Sequence, residues 1–307
     1  MNLPDLSFTG FKFEKVERPV KYSILHREYP PKMTEEMYRI VENLLWYVPN
    51  IDSIQSPKND LALSLDFDEF AFELVKENME LNDEDVAVLD YIPTSIVNFY
   101  KNEVDPNFQK ILITKYKDES TTNSLLRHIR NAIAHGYFTL VEGMLIGFDF
   151  KSTKYSDEEC TAIFKIYPKN LLKSLRILNE EVTEEKLAKK ALLRCDYVVE
   201  DFDDSYDNTN MGFDFYAKKG RRRYAVEVKK YADVEVLSQE EIDKLVDKFS
   251  NIYKTIIPVL FINTSLITDE SKKKLQSEDI IILDVKNIKK MMRGIDILKE
   301  VVGLGKK

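Results

Sequence analysis

Gly212–Lys229 reads G-F-D-F-Y-A-K-K-G-R-R-R-Y-A-V-E-V-K, two β-like runs flanking a cationic stretch, Lys218–Arg223, that reads as a hairpin turn. Pairing Ala217 with Tyr224 fixes an antiparallel register in which paired residue numbers sum to 441. In that register Asp214 opposes Glu227, and opposed residues project from one sheet face. Glu227 and Lys229 stand two apart on one strand and share that face, while Val226 and Val228 point to the other. Two carboxylates and an ammonium are expected to meet. Like charges opposed in a sheet destabilise it, and a hard divalent cation on oxygen ligands would compensate. Lys229 would then hold or activate a water for attack on phosphorus. The blander reading is that Lys229 neutralises two surface acids, and a one-residue slip in register would separate the carboxylates.

Outward from this hairpin the texture is α/β. A helix over Glu184–Arg194 leads into a short run at Tyr197–Val199, then Phe213–Ala217 and Tyr224–Lys230. Ser238 with Glu241 forms a capping box for a helix carrying Ile242, Leu245, Val246 and Phe249. An apolar run Ile256–Ile262, a helix around Asp269–Gln276, a second run Ile280–Leu283 and a last helix from Asn287 follow. Hairpin strands followed by strand–helix–strand crossovers predict a mixed central sheet.

The charge balance changes near residue 185. The 307 residues carry a net charge of −8, but from Lys186 onward 24 Lys+Arg face 21 Asp+Glu, a net of +3, leaving −11 upstream. The cations needed for phosphate contact therefore lie in the second half. Hydrophobic content of 44% and charged content of 32% suit globular domains. Two cysteines, Cys160 and Cys195, give neither metal-ligand spacing nor a disulfide framework. The absence of a signal-like start or a membrane-length apolar run leads to the expectation of a cytoplasmic protein with no membrane partner.

Upstream, residues 1–34 are aromatic and Pro-containing without a clear period and stand as an N-terminal extension. A capped amphipathic pattern starts at Thr34 with Met37, Ile40, Leu44 and Leu45, and helical patterns continue over Phe70–Leu81 and Val86–Val104. Ser120–Gly136 is the clearest helix. At 100° per residue Leu126, Ile129 and Ile133 cluster within about 60°, and Arg127, Asn131 and His135 drift only about 80° along another face. Gly136 is a helix stop. Tyr137–Val141 and Met144–Phe150 flank Glu142-Gly143 as a hairpin, and a helix from Pro168 to Leu178 closes the first domain. An imidazole at the helix end with the Arg130 guanidinium one turn back suits RNA cleavage. Histidine moves a 2′-hydroxyl proton near neutral pH, and arginine stabilises charge growing on phosphate. A histidine on a helix dipole and a surface arginine explain the same residues without catalysis.

Leu125–Gly136, L-L-R-H-I-R-N-A-I-A-H-G, resembles the signature of the HEPN superfamily of helical RNases, over about residues 35–182 and most densely at 123–150. The resemblance implies an all-α helical bundle with a small β-hairpin, homodimerisation, and metal-independent RNA cleavage leaving a 2′,3′-cyclic phosphate. It carries Arg130 and His135 over as catalytic, with Asn131 in support. Gly212-Phe213-Asp214 with Glu227-Val228-Lys229 resembles the D…E-x-K core of the Mrr-like PD-(D/E)xK restriction endonucleases. Phe261–Thr268 and Ile280–Asp284 look like the tail of that domain, for a resemblance over about residues 183–300. It implies Asp214 and Glu227 as ligands of Mg²⁺ or Mn²⁺ and Lys229 as the catalytic lysine. Glu185 matches an additional first-helix acid weakly, and Asn210-Met211-Gly212 departs from the usual Gly-rich approach. The expected organisation is an extension over 1–34, a HEPN-like domain over 35–182 and a nuclease domain over 183–307. The expected activity is cleavage of RNA and DNA, in a defence or toxin-like role. The alternatives are a DNase on a dimerising helical scaffold, an RNase with an inert second domain, and a non-catalytic dimeric nucleic-acid binder.

Overall fold

The structure is a computed structural model that describes residues 3–24, 32–46, 61–153, 156–201, 212–229 and 236–304. The chain divides into two units, Met1–Glu180 and Glu181–Lys307.

In the first unit the elements run β1 (Val20–Lys21), α1 (Glu35–Trp46), α2 (Asp68–Met79), β2 (Val86–Leu89), α3 (Thr94–Tyr100), β3 (Glu103–Val104) and β4 (Lys110–Thr114). They continue with α4 (Thr121–Ala134), β5 (Phe138–Val141), β6 (Met144–Thr153), β7 (Ser156–Ile166) and α5 (Pro168–Glu181). The expected all-α bundle is corrected here. Five strands form a sheet in the order β2-β4-β7-β6-β5, parallel only between β2 and β4. The expected hairpin is the β5–β6 edge of this sheet.

Two features hid the sheet. Val86–Val104 is not one helix, because Pro93, extended at ψ 142°, separates β2 from α3 and stands at the N-cap of that helix. The inner strand β4, K-I-L-I-T, is buried on both faces and shows no alternation to betray it. Its antiparallel neighbour β7 carries Lys165, which is 1% exposed and ion-paired with Glu14. Gly147 on β6 faces Phe164 on β7, whose ring would lie 2.2 Å from an added Cβ, so the ring occupies the place of a side chain.

Residues 3–24 are not a separate appendage. Leu6 and Phe11 enter the core beside Ile96, Tyr100, Leu112, Ile146 and Phe148, and β1 pairs with β3. Tyr100 donates its hydroxyl hydrogen bond to Glu14 at 2.8 Å, and Asp105 accepts from the backbone N–H groups of Glu17 and Arg18. α4 lies across β6 and also packs on α1 and α2. Ser120 caps it, accepting from the Asn123 N–H. Gly136, at φ 74°, ends it, with the Tyr137 N–H reaching Ala132 O and the Gly136 N–H reaching Ile133 O.

In the second unit the elements are α6 (Glu184–Arg194), β8 (Val198–Glu200), β9 (Phe215–Lys219), β10 (Arg222–Val228), α7 (Gln239–Ser250), β11 (Ile256–Phe261), α8 (Asp269–Ser277), β12 (Ile281–Leu283), α9 (Val285–Met292) and α10 (Ile297–Leu304). The sheet order is β12-β11-β10-β9-β8, with β10, β11 and β12 parallel and the hairpin antiparallel, so the mixed sheet is as expected. The turn is shorter than the sequence suggests: Lys219 already pairs with Arg222, leaving Gly220-Arg221 between the strands. α7 and α8 cover the face carrying Ala225, where Ile242, Leu245, Phe249 and Leu275 form the core with Tyr216 and Leu260. The capping box of Ser238 and Glu241 starts α7.

Candidate functional site

The hairpin register holds from Lys219↔Arg222 to Phe215↔Val226, every pair summing to 441. There the ladder departs from the expected opposition of Asp214 and Glu227. Asp214 donates its backbone N–H to Val226 O at 3.1 Å, one residue short of Glu227, and its carboxylate Oδ2 accepts from the Val228 N–H at 2.6 Å. The two acids nevertheless remain within electrostatic reach of each other. Lys229 extends the parallel pairing through its N–H to Phe261 O at 2.8 Å.

Glu227 is buried, 4% exposed, at the end of a strand whose Ala225 and Val226 have no exposure at all. Burial of an ionised carboxylate requires partners, and two ammoniums supply them. Lys229 Nζ donates to Oε1 at 2.9 Å, and Lys248 Nζ donates to Oε2. Lys248 comes from α7 and also stands 4.9 Å from the centroid of the Phe213 ring. The sequence reading missed it. The available signal was its position three residues after Leu245 and one before Phe249, at the edge of the apolar stripe that docks α7 onto this face.

Asp214 keeps an open side to solvent, yet desolvation by the protein atoms around it raises its carboxyl above the ordinary value. The negative charge of Glu227 adds to the rise, while the Val228 N–H and the ammoniums of Lys248 and Lys229 oppose it. Its Oδ1 has no hydrogen-bond partner among the described residues. A buried carboxylate with a half-free one in electrostatic reach gives hard oxygen donors of the kind Mg²⁺ takes when one or two carboxylates hold it and water fills the remaining positions. Among the described residues no cluster of three or more His, Cys, Asp or Glu stands here or elsewhere. Glu185 does not complete one. It pairs with Lys189 at 2.7 Å on α6, and Lys189 lies 5.2 Å from the ring of Phe215, on the sheet face opposite Ala225 and Glu227. Asn210 and Met211 lie outside the described residues.

On α4 the polar stripe is largely tied inward. Arg127 grips buried Glu119 with two bonds of 2.7 and 2.8 Å and lies 4.7 Å over the Tyr116 ring. Desolvation pushes the Glu119 carboxyl up, but the Arg127 guanidinium outweighs it and holds the group below its ordinary value. Buried His128 lies between Asp149 Oδ2, 2.7 Å from Nδ1, and the Thr114 carbonyl oxygen, 2.8 Å from Nε2. Asn131 donates to the same Asp149 oxygen at 3.2 Å. His128 and Asp149 also went unread in the sequence, because their partnership joins a helix to a strand 21 residues away. Arg130 is half-buried and makes no hydrogen bond or ion pair among the described residues, and His135 is exposed at the helix end. Five residues apart, the two positions lie about 140° apart around an ideal helix, with His135 at the C-cap of α4.

The cysteines offer no competing chemistry. Burial pushes the Cys160 thiol up to about 12 and the Cys195 thiol up to about 11, so neither supplies thiolate near neutral pH. No helix among the described residues is long and apolar enough to cross a membrane.

Comparison with known families agrees with both halves of the chain. Residues 46–188 match the family model described as HEPN pEK499 p136, and residues 180–292 match the one described as restriction endonuclease. No curated protein and no solved structure matched the chain. The chain is therefore similar to a HEPN family model over its first part and to a restriction-endonuclease family model over its second.

Proposed function

We propose that the second unit hydrolyses phosphodiester bonds of DNA at Asp214, Glu227 and Lys229 with a bound Mg²⁺ or Mn²⁺. The first unit, in this reading, cleaves RNA without metal at Arg130 and His135, Asn131 supporting them. The observation that carries the reading is Glu227, buried between two lysines with Asp214 beside it, an arrangement with no evident value to a protein that merely grips phosphate. Asp214 and Glu227 would hold the ion, and Lys229 would orient the attacking water through its ammonium. When bound, the ion would polarise the phosphoryl oxygen and stabilise the extra negative charge of the transition state.

For the first unit, the separation of Arg130 and His135 around α4 supports a symmetric homodimer in which each phosphate meets residues of both chains. His135, exposed at the helix end, is free to exchange protons with a 2′-hydroxyl. Asn131, held by Asp149, would act by fixing the helix surface beside Arg130. A role in defence against invading nucleic acid fits the pairing of two nuclease centres in one chain. The test is incubation of the full chain with labelled RNA and labelled DNA, each with Mg²⁺ and with chelator. DNA cleavage only with Mg²⁺, and RNA cleavage in both conditions, is expected. Chelator-resistant DNA cleavage would refute the assignment of the second unit.

A further inference from the structure

The cationic run Lys218–Arg223 has no part in the cleavage reading, and the structure puts it at the far end of the same hairpin. Arg222 opens β10 and Glu227 stands near its end, about 17 Å further along the strand. The flanking strands stop short of the turn: β8 pairs no further than Lys218, and β11 no further than Arg223. The pair Lys219↔Arg222 and the turn Gly220-Arg221 therefore project past the sheet. The projection is braced. Gly220, at φ 61°, opens a two-residue turn. The Lys219 ammonium is tied back to the Cys195 carbonyl at 2.6 Å and to Asp296 at 2.8 Å. Lys218, Arg221 and Arg222, in contrast, make no hydrogen bond or ion pair among the described residues, and Lys218 and Arg221 are exposed. Strand alternation sends the three apart: Lys218 to the face carrying Ala225, Arg222 to the opposite face, and Arg221 to the apex.

We infer that this tip is a second nucleic-acid site, one that seats the major groove of duplex DNA. Cations on both faces of a narrow ribbon suit a ligand with negative charge on both sides. The major groove, about 12 Å wide and bordered by two phosphate backbones, is such a ligand and admits a two-stranded β-ribbon. Lys218 and Arg222 serve the two backbones, and Arg221 serves the groove between them. An acidic peptide or an anionic membrane offers charge on one side and leaves Lys218 or Arg222 unused. The deep, narrow major groove of A-form RNA does not admit side chains, so duplex RNA does not fit. In a chain with a net charge of −8, a local concentration of cations, and not the total, attracts phosphate. The tip holds duplex without touching the bond to be cut, and it stands whether or not the carboxylates cleave.

The test reads binding by fluorescence anisotropy in chelator, where neither metal nor cleavage enters. The full chain is titrated with labelled duplex DNA, duplex RNA and single-stranded DNA of one sequence, at several salt concentrations. Duplex DNA should bind most tightly. Lys218→Ala with Arg222→Ala should weaken that binding and flatten the log–log salt dependence by about 1.8, the scale of two lost phosphate contacts. Lys218→Gln with Arg222→Gln should do the same, and melting checks that each variant folds. Arg221→Ala should weaken duplex binding with little change of slope. Lys272→Ala with Lys273→Ala on α8 changes the net charge equally and should keep the parent slope. Tip variants that keep the parent slope, or α8 variants that flatten it as much, would overturn the inference. So would equal binding of duplex RNA, or no binding of duplex DNA by the parent. Loss of binding to polyglutamate or to phosphatidylserine vesicles on the same scale would assign the tip to an acidic protein or a membrane instead. Cleavage with Mg²⁺ reports on the carboxylates alone, so either reading can fail without the other.

Discussion

Asp214 and Glu227 meet opposite demands at the end of one hairpin. Glu227 is shielded from water and compensated twice, whereas Asp214 is desolvated with one oxygen left over. Because the folded state raises the Asp214 pKa, folding favours its protonated form. Stability from this source is present at low pH and is lost as pH rises from the ordinary value of 3.8 through the raised one. Asp214→Asn, whose amide oxygen can still accept from the Val228 N–H, should therefore melt higher than the parent near neutral pH without metal. The gain should fade below the ordinary carboxylate value, as observed by thermal melts across pH. A parent and variant that melt together at neutral pH would show that Asp214 carries no strain there. Much of this pair was legible in advance, since period-two alternation and a short turn fix a register from sequence. The one-residue departure at Asp214 was not, because it depends on a carboxylate bonding the Val228 N–H in place of the regular ladder.

Among the elements, α4 was legible end to end, its Ser120 cap and Gly136 stop being local chemistry. What its polar residues face was not legible, because β4 and β7 were hidden. β4 has no alternation, and the charge of Lys165 in β7 is met by Glu14, 151 residues away. The sheet explains why Arg127, His128 and Asn131 turn inward, and it predicts that they fix the helix. Glu119→Gln leaves the part-buried Arg127 without its counterion and should cost about 3–5 kcal/mol at pH 7. Arg127 holds the folded-state Glu119 pKa below its ordinary 4.5, so this stabilisation is present above that value and lost as pH falls through the folded one. Urea unfolding at pH 7 and again near pH 4 should show the penalty shrinking with acidity. A penalty independent of pH would mean that packing, and not the ion pair, holds the helix.

At the scale of the whole molecule, two units share one chain, and the family models that they match were legible from two short motifs. The separation of Arg130 and His135 around α4 predicts that the chain works as a dimer, so light scattering at micromolar concentration should give twice the chain mass of 35.9 kDa. A monomer would leave the first centre incomplete. The most direct measurement is cleavage of labelled RNA and DNA in Mg²⁺ by His135→Ala and Glu227→Ala, with folding checked by melting. His135→Ala should lose about 10²–10⁴-fold of the RNA cleavage, the scale of a lost acid–base group, and keep DNA cleavage. Glu227→Ala should lose DNA cleavage and keep RNA cleavage. If both variants cut both substrates like the parent, neither centre lies where the geometry points, and the account of two separate active sites is wrong.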